Sequence, residues 1–477
     1  MEGHQIEDTA ELVLERAEKL GATYCEARTE AIENETINVE GSLLKAGYNF
    51  STSGIGIRVL VAGAWGFSST TDLGSSSITD AVAGAIRVAR AAGHLRKKPV
   101  TLRAVKTVEE DLATKVRERF ADVDFKDKVE SLIECNKRLK ASDDVIKTTA
   151  TLVMVKSDKF IATSEGSKVR FRHSMAFGTL SAFGSSSGVS EAASAEFGGS
   201  GGYEMVEPSY LIELSQDAGE RVTSLLKAKA CPNIGKTQVI MDPTYLALLV
   251  HEIIGHPSEA DRVMGWENAW GGGAWWQDML GQQIGSKMLS AVDEGNIQGA
   301  LGYTPFDDEG VRCEKSYLIK EGVLAGHIHS RQTAEGFDTD AKGGMRSFSF
   351  CCLPLIRMSN TYILGGDWTE EEILEETKSG VLVQHYVAPS IDDRRYRWAV
   401  TPQQAYLVKN GEVTESYRGA VVMGVAPEFF KSIDAVGRDV DILPIAGCGK
   451  GDPEQLVCVG NGGPTIRGSA NVVGRGE

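Results

Sequence analysis

The sequence has few residues that constrain the backbone and no long hydrophobic run. Only 13 of its 477 residues are proline, and 7% are aromatic. No apolar run approaches the ~18 residues that a membrane-spanning helix needs, so no membrane span is predicted. Residues 1–8 have no basic segment and no apolar core, so no secretory signal is predicted either.

Positive charge is in deficit, since 50 basic residues face 66 acidic ones and the formal net charge is −16. A chain this acidic is a poor candidate for direct binding to nucleic acid or to an anionic membrane. The eight cysteines are dispersed and do not have the spacing of a disulfide scaffold. Together with the missing export signal, they predict reduced thiols in a cytoplasmic protein.

What the sequence does contain predicts an α+β fold in two domains. With 42% apolar and 24% charged residues, the composition is that of a globular protein. Strands and helices are predicted in blocks, which favours α+β over strict alternation. We predict an N-terminal domain over residues 1–230, with a mixed sheet and helices. A β-rich C-terminal domain over residues 231–477 would carry a metal-site helix.

The coarse elements are predicted from periodicity and capping residues. Helices are predicted over 7–21, 78–92, 126–140, 208–230, 244–255 and 369–379. Strands are predicted over 25–39, 54–69, 145–160, 167–184, 188–197 and 236–241, with a hairpin turn near Ala62 and Gly63. Residues 95–125 are predicted to be irregular.

The motif His251-Glu252-Ile253-Ile254-Gly255-His256 is the most informative feature for function. Two imidazoles and a carboxylate close together are what a divalent transition metal and its attacking water require. In this interpretation His251 and His256 bind the metal, and Glu252 is a catalytic base rather than a ligand. The alternative is that these two histidines lie at the edge of the core, are near each other by chance and bind no metal.

The spacing of the two histidines needs an explanation. Five residues on a regular helix rotate by about 140°, which is too far for both side chains to reach one ion. Glycine is common at the C-terminal end of helices, as at Gly255, and Pro257 disfavours helical geometry at His256. We therefore predict that the helix stops near Gly255 and that His256 swings back from a departing extended chain.

A third ligand is also needed, and the sequence offers three candidates. Glu259 and Asp261 come soon after the motif. Cys448 lies far away in a glycine-rich turn, where Lys450 is predicted to help keep its thiol deprotonated. The other cysteines lie in apolar contexts and are predicted to be core thiols; they are Cys25, Cys135, Cys231, Cys313, Cys351, Cys352 and Cys458.

A tryptophan- and glycine-rich stretch comes after the motif at residues 264–276. It predicts a mobile lid, a wall of a substrate groove or a buried aromatic cluster, and the sequence does not distinguish these.

Taken together, the motifs resemble the TldD/PmbA family of metallopeptidases, and specifically its TldD branch. The segment Leu249–Asp261 is similar to that family's His-Glu-x-x-x-His-x-x-Glu-Gly-Asp pattern. Further similar blocks occur in the same order along nearly the whole chain, and they lie at residues 58–70, 308–324, 357–362, 448–466 and 473–474.

The resemblance implies Zn²⁺ bound by His251, His256 and Cys448, with Glu252 as the base. It also implies a two-domain α+β fold and a dimer that encloses the site. The implied activity is cleavage of unfolded peptides held as extended strands. The dimer could be a homodimer or a heterodimer with a PmbA-like subunit. Departures at Ala260, 264–276 and 384–394 leave the substrate preference open.

Two other functions stay open at this point. One is a non-catalytic peptide-binding or chaperone-like protein with a structural zinc, and the other is a subunit active only with a PmbA-like partner. A structural site would be closed by a fourth protein donor such as Glu259 or Asp261, whereas a catalytic site keeps one position open.

Overall fold

The computed structural model describes residues 3–95, 98–267 and 272–475, and its α+β architecture confirms the predicted fold class. No helix in these ranges has the length and apolar content required to cross a membrane.

The first half of the chain is built on one mixed sheet. Its strands are β1 (Tyr24–Glu40), β2 (Leu43–Val61), β3 (Ala64–Thr70), β4 (Glu109–Ala113), β5 (Val145–Thr163), β6 (Lys168–Ser186) and β7 (Val189–Ser200). They lie in the order β3-β2-β1-β5-β6-β4, with β7 also paired to β6. The predicted hairpin turn is confirmed, since Ala62 and Gly63 both have positive φ. The parallel strand β4 lies in the segment predicted to be irregular, so that prediction was wrong there.

Four helices of this half cover the sheet in two groups. They are α1 (Gly3–Lys19), α2 (Ser75–Gly93), α3 (Phe125–Leu139) and α4 (Pro208–Lys227). Helices α1 and α2 share one apolar core with β1 and β2, while α3 and α4 share another with β5, β6 and β7. Each of these helices was predicted from the sequence, and only the end residues differ.

The second half contains shorter strands in several sheets. They are β8 (Lys229–Ala230), β9 (Gly235–Met241), β10 (Ala291–Asp293), β11 (Ser316–Lys320), β12 (Val323–Leu324), β13 (Met345–Arg346), β14 (Leu355–Ile356), β15 (Asn360–Ile363), β16 (Ser379–Ile391), β17 (Arg397–Lys409), β18 (Glu412–Arg418), β19 (Ala420–Val425), β20 (Ala435–Val436), β21 (Asp441–Lys450), β22 (Gln455–Gly463) and β23 (Ile466–Gly474). One sheet has the order β12-β11-β10-β15-β22-β21, and another joins β8, β9, β16–β20 and β23.

Helix α5 lies between these two sheets. The helices of this half are α5 (Pro243–Val250), α6 (Ala260–Val263), α7 (Arg331–Gly336), α8 (Glu370–Glu375) and α9 (Ala426–Ser432). Helix α5 contacts β16 on one side and β15, β21 and β22 on the other. It is therefore the central element of the largest apolar core, and the residues at its C-terminal end are held rigidly. The predicted domain boundary at residue 230 stays a prediction; β8, just before it, already pairs with β18.

The two halves are joined by a buried network of charged side chains. Asp308 of the second half accepts hydrogen bonds from Arg28 at 3.2 Å and from Lys159 at 2.9 Å. Arg58 bridges Glu26 at 2.9 Å and Glu309 at 2.6 Å. Because removing one partner would leave a buried charge unpaired, this network fixes how the halves meet.

Asp308 should make stability fall in acid. Burial alone would raise the pKa of Asp308, but Lys159, Arg28 and Ser347 hold this pKa well below its ordinary value. A carboxylate with a lowered pKa in the folded state contributes stability above the unfolded pKa of about 4, and this stability is lost as the pH falls further. The free energy of unfolding of Asp308→Asn should therefore be lower than that of wild type near neutral pH. This difference should be largest there and should decrease below about pH 4.

Urea titrations over a range of pH would measure this difference. The exposed residue Asp80 on α2 offers a control, because Asp80→Asn should match wild type throughout. A difference for Asp308→Asn that does not change with pH would contradict the prediction.

Candidate metal centre

Helix α5 delivers the histidine motif from the core. The Asp242 carboxylate caps the helix by accepting the Tyr245 N–H at 2.9 Å, and Pro243 occupies its first turn. The apolar run 246–250 is buried. The motif therefore begins at a fixed position rather than on a loop.

The helix does not stop at Gly255, so that prediction was wrong. Residues His251–Gly255 form a π-helical turn, in which the His256 N–H donates to the His251 carbonyl, and a 3-10 turn continues over His256–Ser258. His256 has helical dihedral angles (φ −58°, ψ −45°) and does not leave on an extended chain. Since the π-turn bonds residue i to residue i+5, it places both imidazoles on one face. Their ring centroids are 4.7 Å apart.

Gly255 is required for close packing rather than for ending the helix. Its φ is −62°, which any residue can adopt, but a Cβ there would lie 2.6 Å from the sulfur of Met358. Beyond it, the indole of Trp276 donates to the Pro257 carbonyl at 2.6 Å and so fixes the end of the motif.

Cys448 lies on an edge strand rather than in the predicted glycine-rich turn, and this strand brings it to the histidines. Strand β21 pairs with β22, and the pairing is irregular between Ile445 and Cys448. The Cys448 sulfur lies 3.8 Å from His256 Nε2. One donor atom from each of His251, His256 and Cys448 lies within 4.8 Å of the others, and all three residues are buried. The structure thus brings together the three ligands that the resemblance implies.

Each imidazole is oriented through its other nitrogen. His251 Nδ1 is hydrogen-bonded to Asn461 Oδ1 at 3.0 Å, and His256 Nδ1 to Glu259 Oε2 at 3.2 Å. Metal-binding histidines in proteins are usually held in this way by a carboxylate or an amide oxygen. Asn461 was not predicted from the sequence, because it lies 210 residues from His251.

The charges favour a thiolate at Cys448. Burial alone would raise the pKa of this thiol, but His251, Arg357 and His256 hold the pKa well below its ordinary value. Burial alone would lower the pKa of His251, yet Cys448, Glu252 and Asn461 raise it to about 9. A buried thiolate of this kind favours a cation beside it.

The Lys450 ammonium is bonded to two carboxylates and a carbonyl. Its Nζ donates to Asp261 at 2.8 Å, to Glu259 at 3.1 Å and to the Ile356 carbonyl at 2.7 Å, whereas the main charges that lower the Cys448 pKa are those of His251, Arg357 and His256. Arg262 also donates to Glu259, at 2.8 Å. The two alternative third ligands, Glu259 and Asp261, therefore face cations, and neither belongs to the donor group.

Glu252 is partly exposed, whereas the donors on either side of it are buried. Its charge acts on His251 and on Arg395. Water and a substrate can therefore reach Glu252 while the donor set stays enclosed. This placement is compatible with a general base, a role that remains a prediction.

Glu196 is a neighbour of the site that the sequence did not reveal. It comes from β7 of the first half, interacts with the Tyr386 hydroxyl and the Ala446 N–H, and lies close enough to His251 for the charge of that imidazole to act on its carboxyl. Burial is the main cause of a raised pKa for this carboxyl. No local motif marks Glu196, because only the packing of the two halves brings it here.

The donor set fits a zinc ion. Two imidazole nitrogens and one thiolate are ligands that zinc accepts, and three protein ligands are typical of a catalytic site that keeps a fourth position open. Oriented imidazoles and a thiolate stabilised by positive charge complete the conditions for binding.

The aromatic stretch after the motif is in part a buried cluster. Trp276 is fully buried, and Trp275 packs on it with ring centroids 5.3 Å apart. Trp266 is half exposed. Trp270 and Gly271, which were part of the predicted lid or wall, lie outside the described residues.

Removing Asn461 should weaken zinc binding. Without its amide oxygen, His251 loses the hydrogen bond that fixes its ring, and loss of such a partner typically costs about 10- to 100-fold in metal affinity. Competition with a chromogenic chelator would measure the zinc affinity of Asn461→Ala. Asn136, buried in the first half, provides the control, since Asn136→Ala should leave zinc affinity unchanged. Equal zinc affinity in wild type and Asn461→Ala would contradict the role of Asn461 in orienting His251.

Known protein families match almost the whole chain. The PmbA/TldA metallopeptidase C-terminal domain matches residues 234–474, the central domain matches residues 118–226, and domain 1 matches residues 25–89. A metalloprotease of Methanocaldococcus jannaschii is 31% identical over 464 residues, which cover 97% of this chain and 100% of that protein. A metalloprotease TldD homolog of Haemophilus influenzae is 26% identical over 454 residues, which cover 93% of this chain and 91% of that protein.

Solved structures share the fold at low identity. A protein of Thermotoga maritima, described as a modulator of DNA gyrase, has a TM-score of 0.79 at 20% identity, with 98% of this chain and 99% of that chain covered. TldE from Thermococcus kodakarensis has a TM-score of 0.76 at 18% identity, with 98% and 100% covered. The matched domains and the M. jannaschii relative establish the family: the chain belongs to the PmbA/TldD family, whose curated relatives are named metalloproteases.

Proposed function

We propose that this protein is a zinc-dependent peptidase that cleaves unfolded or extended peptides. The observation that carries the proposal is the buried group of His251, His256 and Cys448, whose donor atoms lie within 4.8 Å of one another. Membership of a metallopeptidase family supports the same reaction class. We assign these three residues as the zinc ligands and Glu252 as the general base.

Glu252 is the group that accepts and donates the proton in the proposed reaction. Bound zinc would supply a Lewis acid that lowers the pKa of water and polarises the scissile carbonyl. Glu252 takes the proton of the attacking water and later delivers it to the leaving amine. Its partial exposure beside buried ligands supports this division of roles.

An open site supports catalysis over a purely structural zinc. Among the described residues the donor group has three members, and the two carboxylates considered as alternative ligands, Glu259 and Asp261, are paired with Lys450. A structural zinc would use a fourth protein donor. The non-catalytic binding protein is therefore the less favoured alternative.

We propose that the peptide binds along strand β21, which carries Cys448. Strand β21 is the last strand in the order of its sheet. Strand β7 contacts it and the Ala446 N–H is bonded to Glu196, so an added peptide strand would use the exposed part of this edge at Gly447. Gly447, beside Cys448, is exposed, and a Cβ there would meet nothing within 4 Å. An extended main chain could therefore approach the ligands closely.

We further propose that the active species is a dimer, either of this chain alone or with a PmbA-like subunit, and that it works in the cytoplasm. A thiolate ligand suits a reducing compartment. Light scattering on the purified chain, with and without such a subunit, would give the assembly. A chain that binds zinc but cleaves only with the subunit would identify the heterodimer as the active form.

Metal content tests the proposal. We expect one zinc per purified chain by elemental analysis and loss of zinc in His251→Ala, His256→Ala and Cys448→Ala. Cys458→Ala is the matched control, because Cys458 lies on β22 close to the site but outside the donor group. Peptide cleavage should stop on chelation and return with added zinc.

Two results would change the conclusion. Zinc retained in Cys448→Ala would move the third ligand to Glu259 or Asp261. If the wild type contains no metal, even after reconstitution with zinc, the proposed peptidase function is wrong. The alternative, a non-catalytic peptide-binding protein, would then be favoured.

A further inference from the structure

Cys351 and Cys352 are not core thiols, contrary to the sequence prediction. Cys351 is exposed, and Cys352 is half buried, as is Cys458, which was also predicted to be a core thiol. The buried cysteines are Cys25, Cys135, Cys231, Cys313 and Cys448. The apolar residues around the pair misled the prediction, because these cysteines lie at the tip of the hairpin loop between β13 and β14. Their sulfur atoms are 3.9 Å apart.

The loop that carries this pair is firmly anchored. Phe350 is buried against β2, where a Cβ on Gly54 would lie 2.3 Å from its ring. The Cys352 carbonyl accepts from Arg28 at 2.8 Å, and the Leu353 carbonyl accepts from Gln455 at 2.8 Å. The two thiols are therefore held next to each other at the surface rather than on a freely moving segment.

The two thiols differ in accessibility. Cys351 is the exposed member, and its sulfur lies 3.1 Å from the Ser349 hydroxyl. Burial and the neighbouring Cys351 raise the pKa of Cys352. An oxidant from solution therefore meets Cys351 first, and Cys352 is the resolving thiol behind it.

We propose that Cys351 and Cys352 form a dithiol site that exchanges with small-molecule disulfides and closes reversibly into a disulfide between neighbours. The Cys351 thiolate attacks a disulfide RSSR, forms a mixed disulfide and releases RS⁻. The Cys352 thiolate then attacks the Cys351 sulfur, and the second RS⁻ leaves; both leaving groups take up the protons that the two cysteines lost. The protein pair is oxidised and RSSR is reduced to two RSH.

The bond formed should be easy to reduce. Neighbouring Cα atoms are about 3.8 Å apart, which is closer than in ordinary disulfides. Strained, exposed disulfides have higher reduction potentials than buried structural ones and are the labile ones. The site is thus suited to reversible modification rather than to permanent cross-linking.

Peptide mapping tests this proposal directly. The full chain, loaded with zinc, is treated with oxidised glutathione, its remaining thiols are alkylated, and it is digested with trypsin. Cleavage after Arg346 and Arg357 gives one peptide, residues 347–357, that contains this pair and no other cysteine. We expect this peptide to lose two hydrogen atoms without gaining glutathione, and dithiothreitol to reverse the change.

Single variants separate the two steps. In Cys352→Ser, a glutathione adduct should accumulate on Cys351, because the resolving thiol is gone. Phenylarsine oxide, which needs two adjacent thiols, should bind wild type one to one and bind neither Cys351→Ser nor Cys352→Ser. A lasting glutathione adduct on wild-type Cys351, or no modification at all, would overturn the proposal.

Discussion

Replacing Glu252 by glutamine should lower kcat for peptide cleavage by about 10²- to 10⁴-fold, the range that general acid–base catalysis usually contributes. Glutamine keeps the size and polarity of the side chain but cannot take the proton of the attacking water. Zinc content should stay at the wild-type level, because Glu252 is not in the group of donor atoms. The measurement combines elemental analysis with steady-state cleavage of an unfolded peptide.

Glu220→Gln is the control for this substitution, since Glu220 is exposed on helix α4, far along the chain from the motif. It should cleave at the wild-type rate. Full activity in Glu252→Gln would remove Glu252 from the mechanism. Loss of zinc in that variant would mean that Glu252 helps to hold the metal, and the assignment of a separate base would be wrong.

Replacing Lys450 by methionine should lower the free energy of unfolding by about 3–5 kcal/mol, as expected when one partner of a buried ion pair is removed. Lys450 has no exposed surface, and its ammonium group is bonded to Glu259, Asp261 and the Ile356 carbonyl. Methionine fills similar space but leaves both carboxylates without this partner. Because Glu259 also holds His256, zinc affinity should fall in the same variant.

Urea unfolding and chelator competition would measure the two effects. Lys45→Met is the matched control, because Lys45 is exposed and its nearest carboxylate, Glu40, is 3.7 Å away at the surface. That control should unfold like wild type. If Lys450→Met also unfolds like wild type, the bonds to Lys450 do not stabilise the site, and Arg262 and His256 are sufficient to hold Glu259.

Local features of the site were predictable because they depend on neighbours in the sequence. Asp242 and Pro243 start helix α5 through an N-cap hydrogen bond and a fixed φ, and both signals act within one turn. Thr369 caps α8 for the same reason. The alternating pattern of residues 145–197 predicted strands β5–β7, since one face of that sheet is buried.

Other features depend on distant packing and were missed or misread. Gly255 was read as a helix stop, although it is small because Met358 lies against it. Lys450 was assigned to the nearby Cys448, although its ammonium pairs with Asp261, a carboxylate 189 residues away. Cys351 and Cys352 were placed in the core from their apolar neighbours, although a hairpin loop carries them to the surface. Sequence distance hides each of these contacts.

The π-helical turn at residues 251–255 has a consequence for how such a motif could change. A turn of this kind contains one residue more than an α-helical turn. Deleting either Ile253 or Ile254 would restore regular helix and bring the histidines to the four-residue spacing of zincin peptidases. The same deletion would rotate Glu259, Arg262 and everything after them by about 100° relative to Lys450. The single extra residue therefore places both histidines on one face of the helix. It also keeps the residues that follow at the positions where Glu259 contacts Lys450 and Arg262.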